Sequence, residues 1–361
     1  MRRHWHKKPL LVRQAVAMDK PFVSRPELFA LAASDAVESR LIVRRGRDWS
    51  LRHGPLPRRS LPPLSQGHWS LLVQGLDLHL DSARQMLERF RFVPDARLDD
   101  VMVSYATDGG GVGPHFDSYD VFLLQIHGTR SWRIGRLPNP ELQQGVPLKI
   151  LTNFEPEQEW LLEPGDMLYL PPRWAHDGIA EGECMTCSIG FRSAGQQELA
   201  RELLQRALDA DEAEGEDRIY RDPRQPATAE PGRIPPELQA FALDGLRRWL
   251  HEQGGFEVAL GEVLSEPKPG VWFDAGVPLT EGRGVRLDRR TRMLHDRGHV
   301  YINGESFRAG GRDATLMRRL ADRRELGGRE AAALSADARA LLQQWSLAGW
   351  LHEQAETGGS R

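Results

Sequence analysis

Cysteine is nearly absent from this chain: two in 361 residues, Cys184 and Cys187. A lone pair of thiols cannot supply the disulfide framework of a small secreted domain, and no second ligand pair lies nearby to complete a zinc site. Positions i and i+3 of a strand point to opposite faces, so both thiols read as core residues. Long apolar runs are missing too. Nowhere do eighteen apolar residues follow one another, which leaves no membrane-spanning helix. The basic start MRRHWHKKPLLV lacks the apolar stretch of a secretion signal behind it. Together these absences predict a reducing, cytoplasmic location. Nor is there an excess of one charge: 48 Lys and Arg face 51 Asp and Glu, for a formal net charge of −3. That balance excludes a protein that simply coats nucleic acid. No internal repeat or extended low-complexity tract appears.

The length allows two or three domains with a well-buried core in the largest. Up to about residue 195 the chain reads as short strands broken by Gly, Pro and Asp turns, with helices near the start. PELFALAASDAVESRLIV (26–43) opens with helical spacing and drifts into an extended run, and SARQMLERF (82–90) puts Met86, Leu87 and Phe90 on one helical face. Alternating segments follow at 100–107, 119–128, 131–137, 159–165, 166–172 and 184–192. Short strands at regular spacing predict a sandwich or barrel.

After residue 195 the texture turns helical. QQELARELLQRALDA (196–210) is followed by an acidic, proline-bearing connector (211–233), and helices are predicted within 235–254 and 256–267. Residues 196–267 therefore read as a helical module whose generous apolar faces suit a partner subunit. From 268 to 361 the pattern changes again. Asn303-Gly304 between apolar flanks signals a tight hairpin. Helices at 314–324 and within 333–353, with a terminal strand, make a winged-helix-like end. Residues 271–361 hold fifteen Arg against twelve Asp and Glu, too slight an excess to expect direct DNA binding.

The chemistry concentrates in GGGVGPHFDSYD (109–120) and GDMLYLPPRWAHDG (165–178). On a strand His115 and Asp117 project from one face. His176, at the end of a later strand, completes two histidines and a carboxylate, the facial set that holds non-haem Fe(II) with open positions. The pair alone is equally a hydrogen-bonded couple at a barrel rim. Gly109, Gly110, Gly111, Gly113 and Pro114, which shape the backbone just before the pair, favour the metal reading. So does Arg130, a fork of donors for a carboxylate on or beside the next strand.

GGGVGPHFDSYDVFLLQ, GTRSWRIG, PPRWAHDG, RIYRDP and RALLQQWSLAGWL together resemble the JmjC-type 2-oxoglutarate oxygenases. Within them the chain is similar to the bacterial ribosomal oxygenases, arginine hydroxylases of a large-subunit ribosomal protein. The resemblance implies an α+β architecture: a JmjC jelly roll, or double-stranded β-helix, over 1–195, a helical dimerisation module over 196–267 and a winged-helix-like domain over 268–361. It implies His115, Asp117 and His176 as Fe(II) ligands, Arg130 as the receiver of the distal carboxylate of 2-oxoglutarate, and Ser104 as a further hydroxyl donor to it. Dioxygen is the second cosubstrate, and a homodimer acting on a ribosomal protein is the expected assembly.

Several residues carry alternatives. Asp108 and Asp120 flank the iron motif as acidic partners for a cationic target, or as rim carboxylates facing water. His295 and His299 are a second metal pair or a solvated turn. His4 and His6 read as surface residues, and Trp5, Trp69, Trp132, Trp160 and Trp174 as barrel filling. A JmjC demethylase and a cupin-like metal or ligand-binding protein are the competing functions.

Overall fold

The computed structural model describes residues 1–210, 218–223, 226, 232–251, 255–308 and 310–354. Most of the 211–233 connector and the last seven residues of the expected 268–361 domain lie outside the described residues. Two units emerge, Met1–Ser193 and Ala194–Arg361.

In the first unit the chain order is β1 (Leu10–Val12), α1 (Arg25–Ala32), β2 (Ser39–Arg45), β3 (Asp48–His53), β4 (Trp69–Val73), α2 (Asp81–Glu88), β5 (Leu98–Ala106), β6 (Val121–Arg136), β7 (Gln158–Leu162), β8 (Met167–Leu170) and β9 (Trp174–Phe191). The strands pair in the order β1-β8-β6-β9-β5-β4-β2-β3, with β7 also on β6. β6 and β9 stay paired from Val121↔Gly190 to Arg136↔Trp174. The first half of β6 carries β8 and its second half carries β7, while the last part of β9 carries β5. The two long strands are thus shared by both layers of a jelly roll.

The sequence suggested separate strands at 119–128 and 131–137. The structure joins them into β6, with register shifts between Gln125 and Thr129. Gly128 marks a bulge here, not a turn. Its φ of 61° suits glycine, and a Cβ would run into the Glu183 carbonyl.

Alternation along β6 and β9 divides the interior. Phe122, Leu124 and Ile126 join Trp69, Tyr105, Phe191 and the inward faces of α1 and α2 in the largest core. Val121, Leu123, Trp132 and Ile134 face the other way, with Leu162, Leu168 and Leu170. Each such fully buried large side chain contributes about 1.5–3 kcal/mol relative to exposure. Cys187 lies in the largest core and Cys184 beside Ala106 and Ala180. Both thiols are free and buried, on opposite faces. At the entry to α1, Ser24 and Glu27 form a capping box, satisfying backbone N–H groups that a helix start leaves open.

The second unit contains α3 (Gln196–Ala210), α4 (Pro236–His251), α5 (Gly255–Ser265), β10 (Val285–Leu287), β11 (Met293–His295), β12 (His299–Ile302), β13 (Glu305–Arg308), α6 (Gly311–Arg323), β14 (Glu325–Leu326), α7 (Gly328–Ala332), α8 (Ala336–Leu347) and β15 (Leu351–Glu353). Asn303 and Gly304, with φ of 48° and 88°, make the two-residue turn between β12 and β13. Leu316, Leu320, Leu342 and Trp345 pack beneath these strands as the core of the winged-helix domain. α5 meets α3 through Leu203, Ala259 and Val263. It also meets the hairpin, where Tyr301 Oη, which donates to Asp296 Oδ2, comes within 3.3 Å of Glu257 O and Ser306 Oγ donates to Glu262 Oε1 (2.7 Å). The whole is α+β: a jelly roll followed by helices and a winged-helix end. Among the described residues no helix is long and apolar enough to cross a membrane.

Candidate active site

His115 lies on an isolated bridge instead of a continuous strand. Its N–H donates to His176 O at 3.0 Å and its carbonyl accepts from His176 N at 2.8 Å. Pro114 just before it has no N–H to extend a ladder. This single bridge fixes the two histidines side by side, their ring centroids 4.2 Å apart. His176 is the third residue of β9. Asp117 reaches the same spot from the segment after the bridge, where its carbonyl accepts from Arg173 N at 2.7 Å. Its Oδ2 stands 3.8 Å from His176 Nε2. One ligand atom from each of His115, Asp117 and His176 lies within 4.8 Å of the others, the sole such group among the described residues.

The backbone fixes the tautomers. His115 Nδ1 lies 2.8 Å from Gly113 O and His176 Nδ1 lies 2.9 Å from Trp174 O. A carbonyl accepts only, so each Nδ1 carries the proton and each Nε2 keeps a free lone pair. Burial pushes His176 down to about 4, with His115 adding to the effect, so its ring is neutral at pH 7. Two imidazole nitrogens and one carboxylate oxygen are the donor set that suits non-haem Fe(II).

Arg130 is the second component. It is 2% exposed, and among the described residues no carboxylate forms an ion pair with it. Its Nη1 donates to Ser104 Oγ (3.0 Å) and Thr186 Oγ1 (3.4 Å), and its Nη2 to Gly178 O (3.1 Å). Nε has no partner at all. The guanidinium lies over the Trp132 ring at 5.0 Å, and the Trp132 indole nitrogen is likewise buried without a partner. Burial lowers the Arg130 pKa, but an arginine keeps its charge. A buried cation with an idle donor fits an anionic group delivered from outside. Gly178 leaves the room for it: a Cβ there would sit 2.7 Å from the Trp132 ring and 2.8 Å from Arg130 Nε.

Thr186 and Gln125 were not singled out from the sequence. Thr186 Oγ1 donates to Gln125 Oε1 (2.8 Å), and Gln125 Nε2 donates to the carbonyls of His127 and Gly128. The β6 bulge therefore holds Arg130 in place through two side chains. A hydroxyl inside the apolar run CMTCSIG was the available signal. Asp99 and Asp100 also escaped notice. A register shift in β5 sets both against Gly190, and a Cβ on Gly190 would meet each of them. Gly190 shares its strand face with Thr186, so both carboxylates lie on the face that carries Arg130's partners.

Other expectations resolve differently. Asp120 does not face the pocket mouth: it is fully buried, accepting from Tyr169 Oη and pairing with His6 (3.0 Å) and Arg97 (3.5 Å). Asp108 is exposed and accepts from Gly182 N at 2.9 Å. His295 pairs with Asp322 (3.0 Å), and His299 lies 3.7 Å from Asp296. Trp5 packs among Phe122, Tyr169 and Phe191, while Trp69 sits in the largest core.

The JmjC domain profile matches residues 85–199, and a ROXA-like winged helix matches 251–352. The ribosomal protein uL16 3-hydroxylase of Escherichia coli K12 is 32% identical over 331 residues, covering 85% of this chain and 84% of that protein. The chain belongs to the JmjC ribosomal oxygenase family. An X-ray structure of a family member, E. coli ycfD, superposes with a TM-score of 0.87 at 29% identity, covering 98% of this chain and 96% of the other. A structure of E. coli YcfD in complex with cobalt and 2-oxoglutarate gives 0.84 at 28% identity, covering 98% and 97%.

Proposed function

We propose that this chain is a 2-oxoglutarate- and Fe(II)-dependent dioxygenase that hydroxylates an arginine of a large-subunit ribosomal protein, releasing succinate and carbon dioxide. The observation that carries the reading is a buried Arg130, without an ion pair among the described residues, beside a His–Asp–His cluster. One element calls for an anion and the other for a divalent cation. A metal-chelating keto-diacid meets both demands.

His115 Nε2, His176 Nε2 and an Asp117 oxygen hold the iron. Arg130 takes the far carboxylate of 2-oxoglutarate, steered by Ser104, Thr186 and Trp132. Ser104 Oγ accepts from Arg130, and its own hydroxyl hydrogen would donate to the cosubstrate. When bound, Fe(II) and 2-oxoglutarate supply dioxygen activation coupled to oxidative decarboxylation, with one oxygen atom entering a C–H bond. The chain's own part is orientation and exclusion of water. The Trp132 and Leu162 side of the pocket is apolar and closed.

Asp99 and Asp100 put negative charge on that face, which favours a cationic target, although Asp99 also pairs with Arg192 (3.6 Å) and Asp100 accepts from Gly75 N (3.3 Å). Tyr119 stands near them: burial first, then Asp117 and Asp100, push its phenol up. Charge and a flat ring together suit an arginine side chain. The helical module adds an assembly proposal. Leu204, Leu238, Leu243 and Leu246 are more than one-third exposed, which suits a second copy of the chain.

Arg130→Met tests the carrying observation. Methionine fills the buried volume without charge, so the fold survives while 2-oxoglutarate affinity of the Co(II)-loaded protein falls by about 100-fold or more, about 3 kcal/mol. Calorimetric titration reads this directly, and unchanged affinity overturns the assignment. With a peptide from a large-subunit ribosomal protein, the wild type gives a hydroxylated product and succinate. Release of formaldehyde instead would mark a demethylase.

A further inference from the structure

A dense run of positive charge lies on the β2–β3 hairpin and the loop after it. From Arg40 to Ser60 the chain carries seven arginines (40, 44, 45, 47, 52, 58 and 59) against one carboxylate, Asp48, in a protein whose formal net charge is −3. These residues belong to β2, the facing strand β3 and the loop behind them. Arg45, Arg47, Arg52, Arg58 and Arg59 are exposed. Among the described residues none of these five forms an ion pair, although Arg45 and Asp48 face each other across the hairpin register. Elsewhere in the same unit exposed arginines do find carboxylates, as Arg25 does with Glu183 and Arg136 with Glu157.

Two of these arginines, Arg45 and Arg52, line a cavity of about 280 Å³. Alternation along the hairpin puts Leu41, Val43 and Arg45 of β2 on one face with Ser50 and Arg52 of β3. Leu41, Val43 and Leu61 form an apolar floor, and Arg45, Arg52 and Gln66 form a polar, cationic rim. Arg52 is held in place by the Ser60 carbonyl, and Arg58 lies over the Phe29 ring at 5.6 Å. Pre-positioned guanidinium groups beside an apolar floor are what a nucleotide needs: a phosphate for the rim and a sugar or base for the floor.

We propose that this face of the β2–β3 hairpin binds the backbone of single-stranded RNA, taking one nucleotide into the cavity. Unpaired guanidinium groups would repel the cationic target side chain proposed above, so the surface does not serve it. Single-stranded RNA is the polyanion that offers phosphates to the cationic rim and unstacked bases to the apolar floor. The choice of RNA over other polyanions rests on the proposed function; the anion-binding character does not.

The test is fluorescence anisotropy of the full chain with a labelled single-stranded RNA of about twelve nucleotides, at about 50 and 200 mM salt. No metal or 2-oxoglutarate is needed, so the result stands apart from turnover. The wild type binds, and affinity falls steeply with salt. The double variant Arg45→Gln/Arg52→Gln weakens binding by about tenfold or more and lowers the salt slope by about 1.4, two contacts at about 0.7 each. Its melting temperature and its turnover of a free peptide match the wild type. Absence of binding by the wild type, or equal binding by the double variant, overturns the proposal. Loss of peptide turnover in the variant, or DNA of the same sequence or heparin binding as tightly as RNA, overturns it as well.

Discussion

At the scale of single residues, the site works by controlling protonation. His176 is pushed down to about 4 by burial, helped by the neighbouring His115. Its ordinary value is near 6.5, so between about 4 and 6.5 the unfolded chain binds a proton that the folded ring refuses. This contribution to stability is complete above about 6.5 and is lost as pH falls through that window. Metal-free wild type should therefore lose on the order of a few kcal/mol between pH 7 and 4. His176→Gln should lose correspondingly less. Urea midpoints of the two proteins across that range measure the difference, and parallel curves would refute it. Arg130 shows the reverse logic, since arginine cannot shed its charge and the fold must leave a place for a counter-charge. His115, Asp117 and His176 were readable as a donor set from their residue types and the His-x-Asp spacing, although His115 lies on an isolated bridge and not on a continuous strand. Asp120 was misread because proximity in sequence to Asp117 says nothing about which way the chain turns next. Three residues later it is buried against Tyr169.

At the scale of elements, the bulge in β6 does the most to shape the pocket. Gly128→Ala places a Cβ against the Glu183 carbonyl in a backbone region alanine disfavours. It should destabilise the protein by more than about 1 kcal/mol, shifting the melting temperature by at least about 2–4 °C. Because Gln125 bonds the carbonyls at that bulge and Thr186 in turn, 2-oxoglutarate affinity should fall too. Calorimetry reads the first effect and ligand titration the second; a variant as stable as wild type would contradict the packing argument. The short strands 159–165 and 166–172 were legible from alternation and flanking turns. The continuity of β6 was not, because a glycine between two apolar runs signals a hairpin as readily as a bulge. Asn303-Gly304 shows the contrast: it carries the same type of signal and forms a true two-residue turn.

At the scale of the whole molecule, the sequence marked a jelly roll, helices and a winged-helix end in the right order. What it could not mark was how α5 divides its surface between α3 and the β12–β13 hairpin, since one apolar stripe serves both. The exposed leucines of α3 and α4 lead to a further expectation. Light scattering should give twice the chain mass, and Leu243→Glu with Leu246→Glu should give the single mass with the jelly roll intact. A wild type that runs as a monomer at micromolar concentration would remove the proposal.

The pairing of β6 with β9 has one more consequence. His176 sits opposite Ile134 and Arg130 opposite Ala180, four positions apart on the same ladder. Their backbones are therefore separated by about 13 Å at the usual strand rise. No loop intervenes to stretch or shorten that interval. If Arg130 takes the far carboxylate as proposed, the hydrogen-bonded pair is a ruler for the length of the acid: a keto-diacid one methylene too short or too long would satisfy one end of the scale only.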